Sequence, residues 1–131
     1  MRSALVAARM DLLLGVGGGD DSFRALEETI EHAREADDTL TIAIMENPDS
    51  DVEPGEVESR VDEALAEASL EAEIRTLTGH PGSQLLELAE RGNHDRIVLG
   101  GGETSPLGKV KLGSVAEFVL LNARTTVTLV R

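Results

Sequence analysis

"VLGGGETSPLGKVKLGS", residues Val98–Ser114, is the stretch on which the fold turns. An apolar run ends in three consecutive glycines, passes Glu103, Thr104, Ser105 and a proline, picks up Lys109 and Lys111, and closes on Gly113-Ser114 where a new apolar-periodic segment begins. Glycines let a backbone turn its N–H groups toward an anion and approach it without a Cβ. A helix opening at Ser114 adds partial positive charge at its first turn. The composition is that of a phosphate-binding loop leaving the end of a strand, with Lys109 and Lys111 as added charge and Thr104, Ser105 and Ser114 as hydroxyl donors. Glu103 sets a carboxylate inside the same loop. Ser114 and Glu117 stand at S-x-x-E spacing, which predicts that Ser114 caps the helix. Neither a P-loop nor a dinucleotide motif is matched: no G-K-[ST] follows the glycines, and no G-x-G-x-x-G opens the first helix.

Working outward, strand and helix signals alternate strictly. Asp11–Gly17 is a short apolar run suited to a buried parallel strand. Phe23, Leu26, Ile30 and Ala33 then share one helical face, with Asp20, Asp21 or Ser22 placed to cap the start. Leu40–Met45 is a second strand, followed by an acidic loop rich in Pro and Gly. A helix from about Glu56 carries Val57, Val61, Ala64, Leu65 and Ala68 in phase. Ala72–Leu77 alternates as a half-buried strand. After the break at Gly79–Gly82 a third helix runs through Leu85, Leu88 and Ala89 to Gly92, read as a left-handed cap. Arg96–Leu99 is the fourth strand, Val115–Asn122 the fourth helix, and Thr125–Val130 a β-branched fifth strand. This order predicts an α/β fold, a doubly wound parallel sheet with helices on both faces. A second glycine loop, Gly15–Ser22, leaves the first strand. If the first and fourth strands are neighbours, the two loops share one crevice.

Composition limits the partners. At 131 residues the chain is one domain, with residues 1–9 read as an N-terminal extension and 10–131 as the domain itself. A net charge of −13 argues against nucleic-acid and anionic-membrane surfaces, which reward clustered Lys and Arg. The acidic excess also suits life in concentrated salt, where self-repulsion is screened. Cysteine is absent, which excludes disulfides, thiolate metal sites and a cysteine nucleophile. No apolar run approaches the roughly 18 residues that cross a bilayer, and the expectation is a cytoplasmic protein. His32, His80 and His94 lack metal-ligand spacing and read as solvated or capping residues. Nucleophile, base and orienting group do not assemble, so binding rather than catalysis is expected.

The spacing of Gly100 and Gly113-Ser114, with the closing segment "GSVAEFVLLNARTTVTLVR", resembles the universal stress protein family over residues 11–131. The resemblance implies a five-stranded parallel sheet in the order 3-2-1-4-5. It also implies a homodimer through the last strand, Thr125–Val130, and in one branch ATP held between the first and fourth strand ends. On that pattern Gly100, Gly101, Gly102, Gly113 and Ser114 surround the phosphates, Val16 and Met45 flank the base, and Val115 belongs to the same binding site. Gly17 stands where that branch has an adenine-contacting Asp, and Glu103 where it has its second loop glycine. A carboxylate at 103 would face the polyphosphate, directly or through a bridging Mg²⁺. Two functions follow as expectations: a nucleotide- or anion-binding sensor of the stress response, or a ligand-free dimeric interaction module of the same fold.

Overall fold

The computed structural model describes residues 9–48, 50–104 and 106–131, and of Glu103, Thr104 and Val110 the backbone alone. The N-terminal residues 1–8 and the candidate donor Ser105 therefore lie outside the described residues. Along the chain come β1 (Asp11–Val16), α1 (Asp20–Ala36), β2 (Thr39–Met45), α2 (Pro54–Ala68), β3 (Glu73–Leu77), α3 (Pro81–Arg91) and β4 (Arg96–Gly100). They are followed by β5 (Glu103–Thr104), β6 (Val110–Lys111), α4 (Ser114–Asn122) and β7 (Thr126–Val130).

Strand β1 is apolar on both faces because helices cover both. Leu12, Leu14 and Val16 enter one core layer with Phe23, Leu26 and Ile30 of α1 and Val57 and Val61 of α2. Leu13 enters the other, with Leu85 and Ala89 of α3 and Val115 and Val119 of α4. Such alternation of side chains across a doubly covered sheet is what a continuous apolar run encodes. The sheet order is β3-β2-β1-β4-β7, all parallel, the expected 3-2-1-4-5 arrangement. Asp11 and Asp95 fasten β1 to β4 at the amino end: Asp95 N–H donates to the Asp11 backbone carbonyl at 2.8 Å, and Asp11 N–H donates to Asp95 Oδ2 at 2.8 Å.

Pro54 and Pro81 open α2 and α3 at positions whose N–H has no helical acceptor. His80 caps α3, its Nδ1 accepting the Ser83 N–H at 3.1 Å, while its ring meets Phe118 of α4 edge-on at 4.6 Å. At the end of α3 the expected left-handed glycine is corrected. Gly92 has φ −84°, and Asn93 takes the left-handed turn at φ 50°. The Asn93 and His94 N–H groups return to the carbonyls of Glu90 and Ala89, which places the turn one residue later; asparagine tolerates that conformation.

The capping box at Ser114 is corrected as well. Gly113, extended at φ −71° and ψ 163°, is the cap residue, and its carbonyl accepts the Glu117 N–H at 3.1 Å. Ser114 is thereby the first helical residue and Glu117 falls one position beyond the box. Likewise Gly19, not Asp20, Asp21 or Ser22, caps α1. The antiparallel pair β5–β6, matching Glu103 with Lys111 and Thr104 with Val110, folds the glycine loop back on itself. Two-residue strands among Gly, Ser and Pro leave no periodicity to read.

The two sheet edges differ. β3 carries Glu73 and Arg75, paired at 2.8 Å and both exposed, as protected edges do. β7 is Thr-Val-Thr-Leu-Val with no charge, and its last four residues are half-buried.

Candidate crevice between β1 and β4

The chain winds from β1 through β2 to β3 on one side of β1, and from β4 to β7 on the other. The reversal falls between the carboxyl ends of β1 and β4, the position where open parallel sheets hold ligands. Both glycine loops leave the sheet there. Between them lies a cavity of about 30 Å³ that brings together Gly17, Met45, Gly100, Gly113 and Val115. It is lined also by Asp21, Ser22 and Asn47, which pattern reading did not assign to the site. Val16 lies beneath α1 and α2 in the core. Gly101 and Gly102 form the turn beyond β4, and Ser114 is exposed at the head of α4. The backbone of Glu103 pairs with Lys111, and its carboxylate lies outside the described residues.

The first loop is packed against side chains. Gly17 N–H donates to Ser22 Oγ at 3.1 Å, which turns the loop onto the start of α1. A Cβ on Gly17 would stand 2.8 Å from Asn47 Cβ and 3.1 Å from its Nδ2. The carboxamide from the end of β2 therefore takes the space next to Gly17, where a side chain at 17 would otherwise go. No local motif marks Asn47, since the space it fills is set by a residue missing from another strand.

The second loop is packed against backbone. Gly101 N–H donates to the Val130 carbonyl at 2.7 Å, tying the loop to the end of β7. Gly102 has φ 79°, and a Cβ there would come within 2.0 Å of the Lys111 carbonyl oxygen. A Cβ on Gly100 would lie 2.7 Å from both the backbone carbonyl carbon and Oδ2 of Asp21. Asp21 also joins the loops: its Oδ2 accepts the Gly102 N–H at 2.9 Å, and its Oδ1 accepts the Ser22 N–H at 3.0 Å. Its place in the first turn of α1 gave it the look of a cap.

Around the crevice Lys109 and Lys111 are exposed. His32 Nε2 is 3.4 Å from Asp38 Oδ2, far from the crevice. His94 is half-buried beyond the end of α3, its ring against Gly92 and its Nδ1 without a hydrogen-bond partner among the described residues. Among the described residues no three His, Cys, Asp or Glu side chains cluster as metal ligands, and no helix is long and apolar enough to cross a membrane. A larger cavity, about 180 Å³, opens beneath α1 beside β7, where Arg96, Thr128 and Val130 meet His32 and Glu28.

Residues 9–131 match the family model described as the universal stress protein family. Comparison with curated proteins found no match. Among solved structures, a universal stress protein from Archaeoglobus fulgidus is 24% identical with a TM-score of 0.76, over 95% of this chain and 100% of that one. A universal stress protein in complex with cAMP is 25% identical with a TM-score of 0.73, over 95% and 98% of the two chains. A universal stress protein family protein from Arabidopsis thaliana with AMP bound is 17% identical with a TM-score of 0.68, over 92% and 90%. The matched segment takes in every strand of the parallel sheet, both glycine loops and all four helices; the chain belongs to the universal stress protein family.

Proposed function

We propose that this chain is a cytoplasmic stress-response protein that binds an adenine nucleotide between the ends of β1 and β4 and acts by binding, not turnover. The carrying observation is the crevice at the winding reversal, where two glycine loops meet the start of α4 and the cap residue Gly113 supplies no side-chain acceptor. The backbone amides that open α4, at Ser114 and Val115, would meet phosphate oxygens. Met45, Gly17 and Asn47 would border the base. The relatives with cAMP and with AMP bound support the nucleotide class. A magnesium ion, if used, would reach the site on the phosphates, where Asp21 is the carboxylate among the described residues that lines the crevice.

Protein purified from its native host should carry bound nucleotide, read as absorbance near 260 nm against a chain with no Trp or Tyr. Calorimetric titration with AMP should give one site per chain. The ligand-free interaction module is favoured by one observation. The cavity of about 30 Å³ holds a water or two, far below the roughly 300–1,000 Å³ of ordinary ligand sites, so a nucleotide must part the loops. Protein free of nucleotide that also gives no heat with AMP, ATP or adenosine would install that second reading.

As partner we propose a second copy of this chain, docked along β7. An uncharged edge with Val127 and Leu129 half-buried invites strand pairing, and a two-fold copy would satisfy it. Thr126→Lys with Thr128→Lys places like charges along that edge. Light scattering should then give the monomer mass; a dimer mass equal to the native one would remove this interface.

A further inference from the structure

Asp21 sits where the second glycine loop would present an amide to a phosphate. Its Oδ2 accepts the Gly102 N–H at 2.9 Å, its Oδ1 accepts the Ser22 N–H at 3.0 Å, and its side chain lies against Gly100 and lines the crevice. We infer that Asp21 is an internal anion that selects ligands by phosphate charge: the crevice takes adenosine and adenosine monophosphates, and discriminates against the triphosphate. This deepens the nucleotide reading above and rests on it.

The argument is one of occupancy and charge. A phosphate reaching the Gly102 amide must displace a carboxylate already hydrogen-bonded there, and a phosphate resting beside it meets a like charge at close range. Each further phosphate of the chain adds charge to the side of the crevice that Asp21 holds. The nucleoside portion, bordered by Met45 and Asn47, meets no such opposition. A single carboxylate therefore separates affinity for the base from affinity for the phosphates.

Asp21→Asn tests this: its one carboxamide oxygen can still accept the Gly102 N–H, the Ser22 N–H gives up its side-chain acceptor, and the charge is gone. Adenosine, AMP and ATP are titrated calorimetrically into native and D21N protein, in EDTA and again with Mg²⁺. In EDTA the variant should bind ATP about tenfold tighter than the native protein, the size of one like-charge contact in a wet site, and adenosine within about twofold of it. A second readout needs no base: the Gly102 amide resonance of ¹⁵N-labelled protein should move on adding pyrophosphate to D21N and stay in place in the native chain. Equal ATP-to-adenosine ratios and equal pyrophosphate responses in the two proteins would overturn the selector while leaving nucleotide binding intact. If D21N answers to pyrophosphate but neither protein binds adenosine, AMP or ATP, the anion competition stands as a property of the loop, and selection among nucleotides falls with the nucleotide reading. Asp21→Ala serves as the structural control: a loss of Gly102 amide protection in D21A that D21N restores assigns that share to the hydrogen bond, and the ATP gain of D21N to the charge.

Discussion

The two glycine loops that frame the crevice are alike in composition and opposite in construction. After β1, Gly17 faces Asn47, a side chain on a neighbouring strand end. After β4, Gly102 faces the Lys111 carbonyl and Gly100 faces the Asp21 main chain. Asn47 Cβ moves only with its own backbone, but that backbone lies past the end of β2 and outside any ladder, whereas the main chains of Lys111 and Asp21 are held in a ladder and a helix turn. Glycines of equal appearance in sequence therefore differ in how much they can tolerate: Gly17 has a neighbour that can shift, and Gly100 and Gly102 have neighbours that cannot.

That contrast orders a series of substitutions. Gly102→Ala carries the largest cost, since it combines a left-handed φ with a 2.0 Å approach to a carbonyl oxygen. A loss of about 3 kcal/mol or more, roughly 10 °C in melting temperature, is expected. A melting temperature within a degree or two of native would mean that the β5–β6 turn moves freely and would erase the difference between the loops. Gly100→Ala comes next at about 2 kcal/mol, because the Asp21 main chain sits in the first turn of α1 and yields little. Thermal or urea unfolding measures both.

Gly17→Ala should cost only about 1 kcal/mol, and most of that should vanish in an Asn47→Gly background, where the opposing side chain is gone. A double-mutant cycle with no coupling would show that Gly17 is constrained by something other than Asn47. The smallest effect on the comparison itself comes from salt. Raising ionic strength from 0.1 M to 1 M shrinks the Debye length from roughly 10 Å to about 3 Å. With a net charge of −13 the native protein and every variant should gain melting temperature together. The order of the three glycine variants should not change, because its origin is steric. A flat salt response would exclude a high-salt adaptation of the acidic surface.

Much of this fold was legible because its signals are local and redundant. The leucines of β1, the in-phase faces of α1 and α2 and the β-branched end of the chain each announce an element, and strict alternation then restricts the topology. Helix ends were legible to within about two residues, α2 opening at Pro54 ahead of the expected Glu56 and α3 at Pro81, inside the expected break at Gly79–Gly82. The left-handed position fell on Asn93 instead of Gly92, and the cap on Gly113 instead of Ser114, because adjacent polar and glycine residues can each take either place. The site was legible in its glycines and opaque in its partners. Gly17 and Gly100 declare that something comes close; nothing local declares that it is Asn47 or Asp21. Those contacts link residues tens of positions apart, Asp21 and Gly102 being separated by 81, and no periodicity spans such a distance.

The pairing of Asp11 with Asp95 at the amino edge of the sheet has a bearing on the order in which the molecule assembles. β1 meets β2 by closing a span of 28 residues, as the Met10–Asp38 bond shows, but meets β4 only across 84. With closure entropy growing as three-halves RT times the logarithm of the span, the second pairing costs about 1 kcal/mol more. The β1-β2-β3 half is therefore placed to form while β4 and β7 are still unpaired, leaving β1, buried from Leu12 to Val16 in the finished sheet, with one open side. Until β4 arrives, that strand is the edge from which misassembly would begin, and the two aspartates are where the late half first locks its register.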